Sequence, residues 1–312
     1  MQRMASATTS IGVPLTGMRT DQRLDTFLQY RPLLLSIAYR MLGSMSDAED
    51  MLQESFLRWQ QSAEADIRCP KAFLVTVITR LCINQLQSAR VQREQYFGEW
   101  LPEPVVSTPE SDPSMLPQMD ESLSIAFLVI LERLSPVERA VFLLREVFDY
   151  EYFEIARVVS QTEVNCRQIF RRARLHIKEI RPRFDASPTQ KEKLVREFMA
   201  ATSRGDIEGL LKFFAQDIII HTDGGGKASA TVNPVYGALN ATRLVVYGNK
   251  KFRPEAAVVK FAMVNGQPGI VTYLDGRAET VLALDILGGQ IRKVYILRNP
   301  DKLQTVPHSI DA

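Results

Sequence analysis

Apolar residues recur at helical spacing through the first half of the chain and alternate with period two through its last third. Leu33, Leu34, Ile37, Ala38, Met41 and Leu42 form one face of a helix that Gly43 can end. Ser46, with Glu49 three residues on, is a capping-box start for a second helix. That helix turns Ala48, Met51, Leu52, Phe56 and Trp59 inward and leaves Asp47, Asp50 and Glu54 as an acidic outer stripe. A third helix, over residues 71–95, is apolar at Phe73, Val77, Leu81 and Leu86, then basic at Arg80, Arg90 and Arg93.

A second helical unit is punctuated more sharply. Ser135-Pro136-Val137-Glu138 combines an N-cap, a proline at the first helical position and a capping-box acid. Helices follow over 151–159 and 163–178, separated by Ser160-Gln161-Thr162 with Thr162 as N-cap, a helix-turn-helix arrangement. On the last helix Cys166, Phe170, Ala173 and Ile177 share one face, and Arg167, Arg171, Arg174 and Lys178 share another.

Glycine marks the next change of character: four lie before residue 186 and the other twelve after it. Helices over 190–202 and 207–214 precede a meander with turns at Asn265-Gly266, Asp275-Gly276 and Gly288-Gly289. The runs 256–264, 270–274, 279–287 and 291–297 alternate and are rich in β-branched residues, which predicts a curved sheet with helices on one face. Between the two helical units, five prolines fall in residues 98–117 and no Lys or Arg occurs from Glu94 to Glu132. Such a run predicts an extended acidic linker that spans without folding. The expected division is a disordered N-terminus (1–22), a helical domain (23–97), the linker (98–119), a second helical domain (120–185), an α+β domain (188–303) and a tail (304–312).

A length of 312 residues suits more than one folded unit. With 38 Lys+Arg against 36 Asp+Glu, the chain is not a globally basic nucleic-acid coat, so any binding charge is local. Three scattered cysteines, Cys69, Cys82 and Cys166, predict no disulfide framework and place the protein in a reducing compartment. His176, His221 and His308 are equally scattered, so no metal or cofactor site is expected. The absence of a long apolar run predicts a soluble, cytoplasmic protein without membrane attachment.

The strongest candidate chemistry is the basic stripe. Arginine reads guanine edges bidentately and neutralises phosphates, so a basic second helix of a helix-turn-helix is the footprint of a major-groove reader. Glu163, Asn165, Arg167, Gln168 and Arg171 stand nearest the bases, with Arg172, Arg174 and Lys178 nearer the backbone. The acidic stripe is a weaker signal, since by itself it reads more simply as a solvated helix face. His221 and Asp223, beside Gly224-Gly225-Gly226-Lys227, are an acid–base couple in an enzyme reading; three glycines more simply mark a tight turn or close backbone contact.

Residues 47–56, Asp-Ala-Glu-Asp-Met-Leu-Gln-Glu-Ser-Phe, resemble the polymerase-binding helix of bacterial sigma factors. Residues 71–93 are similar to the part of sigma domain 2 that melts and reads the minus-ten element, and 135–174 to domain 4, including Asn165-Cys166-Arg167-Gln168 and Arg172-Ala173-Arg174. Domains 2 and 4 alone are the pattern of the extracytoplasmic-function class. Trp100-Leu101-Pro102-Glu103-Pro104, Asp223-Gly224-Gly225-Gly226-Lys227 and Asn299-Pro300-Asp301-Lys302-Leu303 together resemble the branch with a SnoaL-like C-terminal extension. Ser160 stands where many members carry glycine, which implies a looser or differently capped turn.

The resemblance implies two all-α sigma domains, the second with a helix-turn-helix, plus an α+β NTF2-like cone. It implies contacts to the clamp helices of the largest polymerase subunit from Asp47, Asp50, Met51, Leu52, Gln53 and Glu54, a further contact to the polymerase flap, and minus-ten contacts from Arg80, Asn84, Arg90 and Arg93. A base splayed from the minus-ten strand would enter a pocket around residues 62–70. The cone would regulate in cis in place of a separate anti-sigma factor, through Trp100, Leu101 and Pro102 packed near residues 223–227 and 299–303, and would have room for a small ligand. The protein supplies addresses rather than catalysis. The acidic linker is expected to lie in a positively charged polymerase channel, with Glu110, Asp112, Asp120 and Glu121 as the groups to neutralise. Two alternatives remain open: an NTF2-like enzyme fused to a DNA-binding module, and a one-component ligand-sensing regulator. The second leaves residues 47–56 and 71–93 without a role.

Overall fold

A computed structural model describes residues 20–63, 67–94, 96–107, 123–178, 187–252 and 254–308. The acidic positions Glu110, Asp112, Asp120 and Glu121 lie outside the described residues.

The first domain is α1 (Thr20–Leu42), α2 (Met45–Gln61) and α3 (Pro70–Glu94). Residues 20–22, expected to be disordered, are the first turn of α1. Gly43 adopts φ +69° and stops α1, and Ser44, not Ser46, caps α2, its Oγ accepting from the Asp47 amide at 3.2 Å. The register differs by two residues because the chain reverses at once after Gly43, leaving Ser46 already inside the helix. Gly43 has a second constraint: a Cβ there would lie 2.8 Å from Trp100 Cη2. Gly43→Ala is expected to lower stability by about 1–2 kcal/mol, read from thermal denaturation, since alanine resists that φ and collides with the indole.

The second domain is α4 (Ile125–Leu131), α5 (Pro136–Glu146), α6 (Tyr152–Val159) and α7 (Glu163–Lys178). The Ser135–Glu138 box forms as the sequence predicts, with Pro136 in the first turn of α5. Ser160 takes φ +54° at the end of α6, and its amide still closes on Ala156, so serine here accepts the left-handed conformation and the turn stays tight. A single apolar core runs through both domains, from Leu34, Trp59 and Ile78 to Leu131, Phe142 and Ile155.

The third domain holds α8 (Pro188–Arg204), α9 (Ile207–Phe213) and α10 (Ala238–Phe252) against a sheet of β1 (Val106–Ser107), β2 (Phe214–Asp223), β3 (Val235–Tyr236), β4 (Val258–Val264), β5 (Gln267–Leu274), β6 (Arg277–Leu287) and β7 (Gln290–Leu297). The strand order is β1-β4-β5-β6-β7-β2-β3, antiparallel except for the β2–β7 pair. This is an α+β domain with its helices on one face of a mainly antiparallel sheet.

The linker behaves differently from the expectation. Residues 96–107 are built into the third domain, with Leu101–Pro104 buried and Val106 paired to Val264 on the edge of β4. Proline tolerates an edge strand, and four consecutive buried residues there outweigh the tendency of a Pro-rich run to stay extended in water. Period-two alternation then divides the sheet. Ile220, Thr222, Ile270, Leu282 and Ile296 face α8 and α10, while Val271, Val281, Ala283, Tyr295 and Leu297 face Leu101, Val106 and Ile125. Helix α4 carries both contacts: Ile125 packs on the sheet and Phe127, Leu128 and Leu131 enter the helical core.

Candidate functional surfaces and the inter-domain latch

On α2, Asp50 and Gln53 are exposed, and Asp47 and Glu54 are half-exposed, with Glu54 accepting from Arg58 at 2.8 Å. Leu52 is only 4% exposed and belongs to the helical core, supporting the acidic face from beneath; Met51 is half-buried. On α7, Glu163, Arg167, Gln168, Arg171, Arg172 and Arg174 are exposed and Asn165 is half-buried, while Cys166, Ile169, Ala173 and Ile177 are buried. The inward face thus includes Ile169, with Phe170 half-buried between the two faces. Thr162 caps α7 through the Asn165 amide at 3.2 Å. The side chains of Lys178, Arg90 and Arg93 lie outside the described residues, as do residues 64–66 of the loop expected to hold a splayed base.

Asn84 is exposed on α3. Arg80, expected at the minus-ten strand, is instead engaged within the chain. Its Nε donates to the Val158 carbonyl and its Nη2 to the Arg157 carbonyl, both at 2.8 Å, and Nη2 reaches Ser160 Oγ at 2.9 Å. These acceptors are the last turn of α6, whose free carbonyls attract a cation. Arg139, on α5, makes a second tie: it donates to the Met41 carbonyl at the end of α1 and to Glu132 at 2.8 Å.

The three motifs from distant parts of the sequence meet in one place. Asp223, fully buried, receives Tyr96 Oη at 2.6 Å, the Leu101 amide at 2.9 Å and Lys302 Nζ at 2.7 Å. Its second-neighbour amide, Gly225, also donates to it at 3.0 Å. Lys302 reaches the Leu101 carbonyl and lies 4.1 Å from the centre of the Trp100 ring. Asn299 donates to Tyr96 Oη at 2.8 Å, and Lys227 pairs with Asp301 at 2.6 Å. Burial, then the bond to Asp223, holds the Tyr96 hydroxyl protonated far above the ordinary phenol range. Gly225 and Gly226 have positive φ, and a Cβ on Gly225 would strike Asn299. Gly224 is buried, Pro300 opens the closing 3₁₀ turn, Pro102 is buried and Leu303 packs beneath the sheet.

A second knot lies nearby. Glu103 is 4% exposed; its Oε2 accepts from the Met45 amide at 2.8 Å and its Oε1 from Thr305 at 3.0 Å. Asn265 accepts from the Val105 amide at 3.0 Å and donates to Tyr39 Oη at 2.7 Å and to the Leu123 carbonyl at 3.0 Å. Tyr39 Oη in turn donates to the Glu103 carbonyl at 2.6 Å. Asn265 reads in the sequence only as a turn residue, and its left-handed φ of +51° is what allows the sharp reversal beside these partners.

His221 and Asp223 do not form a couple. His221 Nδ1 meets Glu99 Oε1 at 2.9 Å and its ring stacks on Tyr295, while Asp223 is committed to the latch. Both project from the sheet face opposite the cavity enclosed by α8 and α10, because residues two apart on a strand share a face. Cys82 and Cys166 are buried free thiols, and Cys69 is exposed. Among the described residues no group of His, Cys, Asp and Glu is arranged to hold a metal ion, and no helix is long and apolar enough to cross a membrane.

The sigma-70 region 2 family matches residues 26–91, and the sigma-70 region 4 family residues 124–177. The chain is 34% identical over 296 residues to the ECF RNA polymerase sigma factor SigJ of Mycobacterium tuberculosis, covering 91% of this chain and 94% of that one. The chain belongs to the ECF RNA polymerase sigma factors. A probable ECF sigma factor of the same organism, SigI, is 32% identical over 276 residues, covering 88% of this chain and 92% of the other. The crystal structure of the M. tuberculosis SigJ superposes on this sigma factor with a TM-score of 0.76 at 32% identity, over 92% of this chain and all of that one. The two helical units of this ECF factor are therefore sigma regions 2 and 4, and the superposition on SigJ covers 92% of the chain, the α+β domain included.

Proposed function

We propose that this sigma factor binds core RNA polymerase through the exposed acidic face of α2, reads the minus-thirty-five duplex with α7, and engages the minus-ten strand with α3. Asp47, Asp50, Gln53 and Glu54 meet the clamp helices of the largest subunit; Arg167, Gln168, Arg171, Arg172 and Arg174 meet DNA. The protein acts in the cytoplasm, on promoter DNA, as an initiation factor and not as an enzyme.

We further propose that the cone restrains the sigma domains in cis. The observation that carries this is the Asp223–Lys302–Leu101 latch, which fixes the segment between the two sigma domains to the sheet. The two promoter elements are about 25 base pairs apart, on the order of 80 Å at 3.4 Å per step. Regions 2 and 4 here share one core and Arg80 is bound to the helix-turn-helix, so the described arrangement is closed and must open on a promoter.

In-vitro transcription with core polymerase tests this, comparing the full chain with one ending near residue 186. Promoter-dependent transcript from the full chain, with more from the shortened chain, is the expected result. No transcript from either, with specific duplex binding in the absence of polymerase, would favour a one-component regulator. Equal transcript from both would remove the restraint.

A further inference from the structure

The most outward line of α7 is only partly basic. Cys166, Ile169, Ala173 and Ile177 hold its inner face. At about 3.6 residues per turn, the direction opposite them falls on Val164, Gln168, Arg171 and Leu175, all exposed. Val164 is 65% exposed and Leu175 55%, so two large apolar side chains on this line stand mostly in water. A β-branched residue in the first turn of α7 serves neither helix propensity nor the core.

The neighbouring side chains turn elsewhere. Arg167 pairs with Glu163 at 3.4 Å, and its guanidinium lies 4.9 Å from the centre of the Tyr152 ring on α6, which draws it to the side of the helix. Asn165 donates to Gln161 at 2.8 Å, back toward the turn. Among the described residues, the side chains of Gln168 and Arg171 have no hydrogen-bond or ion-pair partner.

We propose that this stripe, and not the arginine row beside it, reads the bases: Val164 lies against the 5-methyl group of a thymine in the minus-thirty-five duplex, with Gln168 and Arg171 behind it on the base edges. This role rests on the reading of α7 proposed above. Thymine alone among the four bases shows a methyl group in the major groove, and an aliphatic side chain recognises it by removing water from both. The first turn of a recognition helix is the part that reaches the base edges, which is where Val164 stands. Gln168 and Arg171 follow about 6 and 11 Å along the axis, within a groove about 12 Å wide. Glutamine pairs with adenine, and arginine with guanine, through two bonds each. Arg167, Arg172 and Arg174 flank the stripe and suit phosphates. The charge that holds the duplex and the groups that choose its sequence thus occupy separate faces. Leu175 lies about 17 Å along the axis from Val164, beyond the width of the groove.

The test uses holoenzyme assembled from the full chain and core polymerase, with a promoter library randomised over the minus-thirty-five window. The preferred duplex is then made with each thymine replaced in turn by deoxyuridine, which removes the methyl group alone. At one position the replacement is expected to weaken binding about fourfold, the effect of exposing one methyl group. In Val164→Ala that penalty should fall below about twofold while other positions are unchanged. Val164 is exposed and alanine is the better helix former, so the variant folds, which circular dichroism checks. Gln168→Ala and Arg171→Ala should each relax one position, whereas Arg167→Ala should weaken all duplexes alike. An unchanged deoxyuridine penalty in Val164→Ala, or no such penalty at any thymine, overturns the role of Val164. A position relaxed by Arg167→Ala would return base reading to the arginine row. No preferred base anywhere in the window overturns the minus-thirty-five reading of α7 itself, a result distinct from a preferred window that is indifferent to Val164.

Discussion

Replacing Asp223 with alanine is expected to cost about 3–5 kcal/mol, because Lys302 is left with its charge in a nearly dry site and Tyr96, Leu101 and Gly225 lose their acceptor together. Lys302 is 12% exposed at its side chain, so water relieves little of that charge. Lys302→Met removes the charge and keeps much of the stem that packs on Trp100, and is expected to cost less. In the double variant the two losses should add to well below their sum, since a neutral pair no longer contains a stranded ion. Hydrogen exchange decides whether the loss is local. The Leu101 amide donates to Asp223, so in Asp223→Ala it should exchange much faster while amides of α5 and β6 keep their protection. Equal loss of protection everywhere would mean that Asp223 supports the whole fold and is not a releasable latch. The same variant should raise transcript from core polymerase if the closed arrangement limits initiation.

What the sequence discloses follows from how local each signal is. The Ser135–Glu138 box, the three-residue turn before α7 and the β-meander turns are written within four residues of where they act. Asn265, Gly266, Asp275, Gly276, Gly288 and Gly289 all take positive φ, as two-residue hairpins demand. The three latch motifs are legible through family resemblance, but their bonds join residues more than 70 positions apart and no spacing rule contains them. Residues 98–107 mislead for a physical reason. Proline content speaks to what the segment does alone, whereas its burial is decided by an edge strand 160 residues later. The bonds of Arg80 to the end of α6 are not legible in the sequence, since a basic residue on α3 suits a phosphate and a helix C-terminus equally well. His221 and Asp223 are a reactive pair by type alone; only strand parity shows that both face away from the cavity. Glu103 is legible only as a member of the Trp100–Pro104 motif and Asn265 only as a turn residue, because the bonds of their side chains are made to residues distant in the sequence.

Asn265→Ala is expected to be the most damaging single change at the junction of all three domains, at about 3 kcal/mol. The side chain's partners, the Val105 amide, the Leu123 carbonyl and Tyr39 Oη, lie in buried or half-buried places, so its loss leaves donors and acceptors unsatisfied where water enters poorly. Alanine also resists the φ of +51°, which asparagine tolerates. Asn265→Gly separates the two causes, because glycine accepts the conformation but makes none of the bonds. It should recover about 1 kcal/mol of the loss and no more. Recovery of nearly all of it would make Asn265 a turn residue only. Tyr39→Phe should be milder, since Asn265 keeps its bonds to the Val105 amide and the Leu123 carbonyl and the chief loss is the hydroxyl donor to the Glu103 carbonyl. In that variant a second measurement is informative: coupling to Asn265→Ala. Burial, before any neighbouring charge, pushes the Tyr39 hydroxyl far above its ordinary range, so it acts as a fixed neutral bridge at every working pH. The bridge joins α1 of region 2, the segment after α3 and the edge of the cone's sheet. Small-angle scattering of Asn265→Ala should therefore show an increased radius with helix and sheet content retained, the signature of domains that have parted while each stays folded.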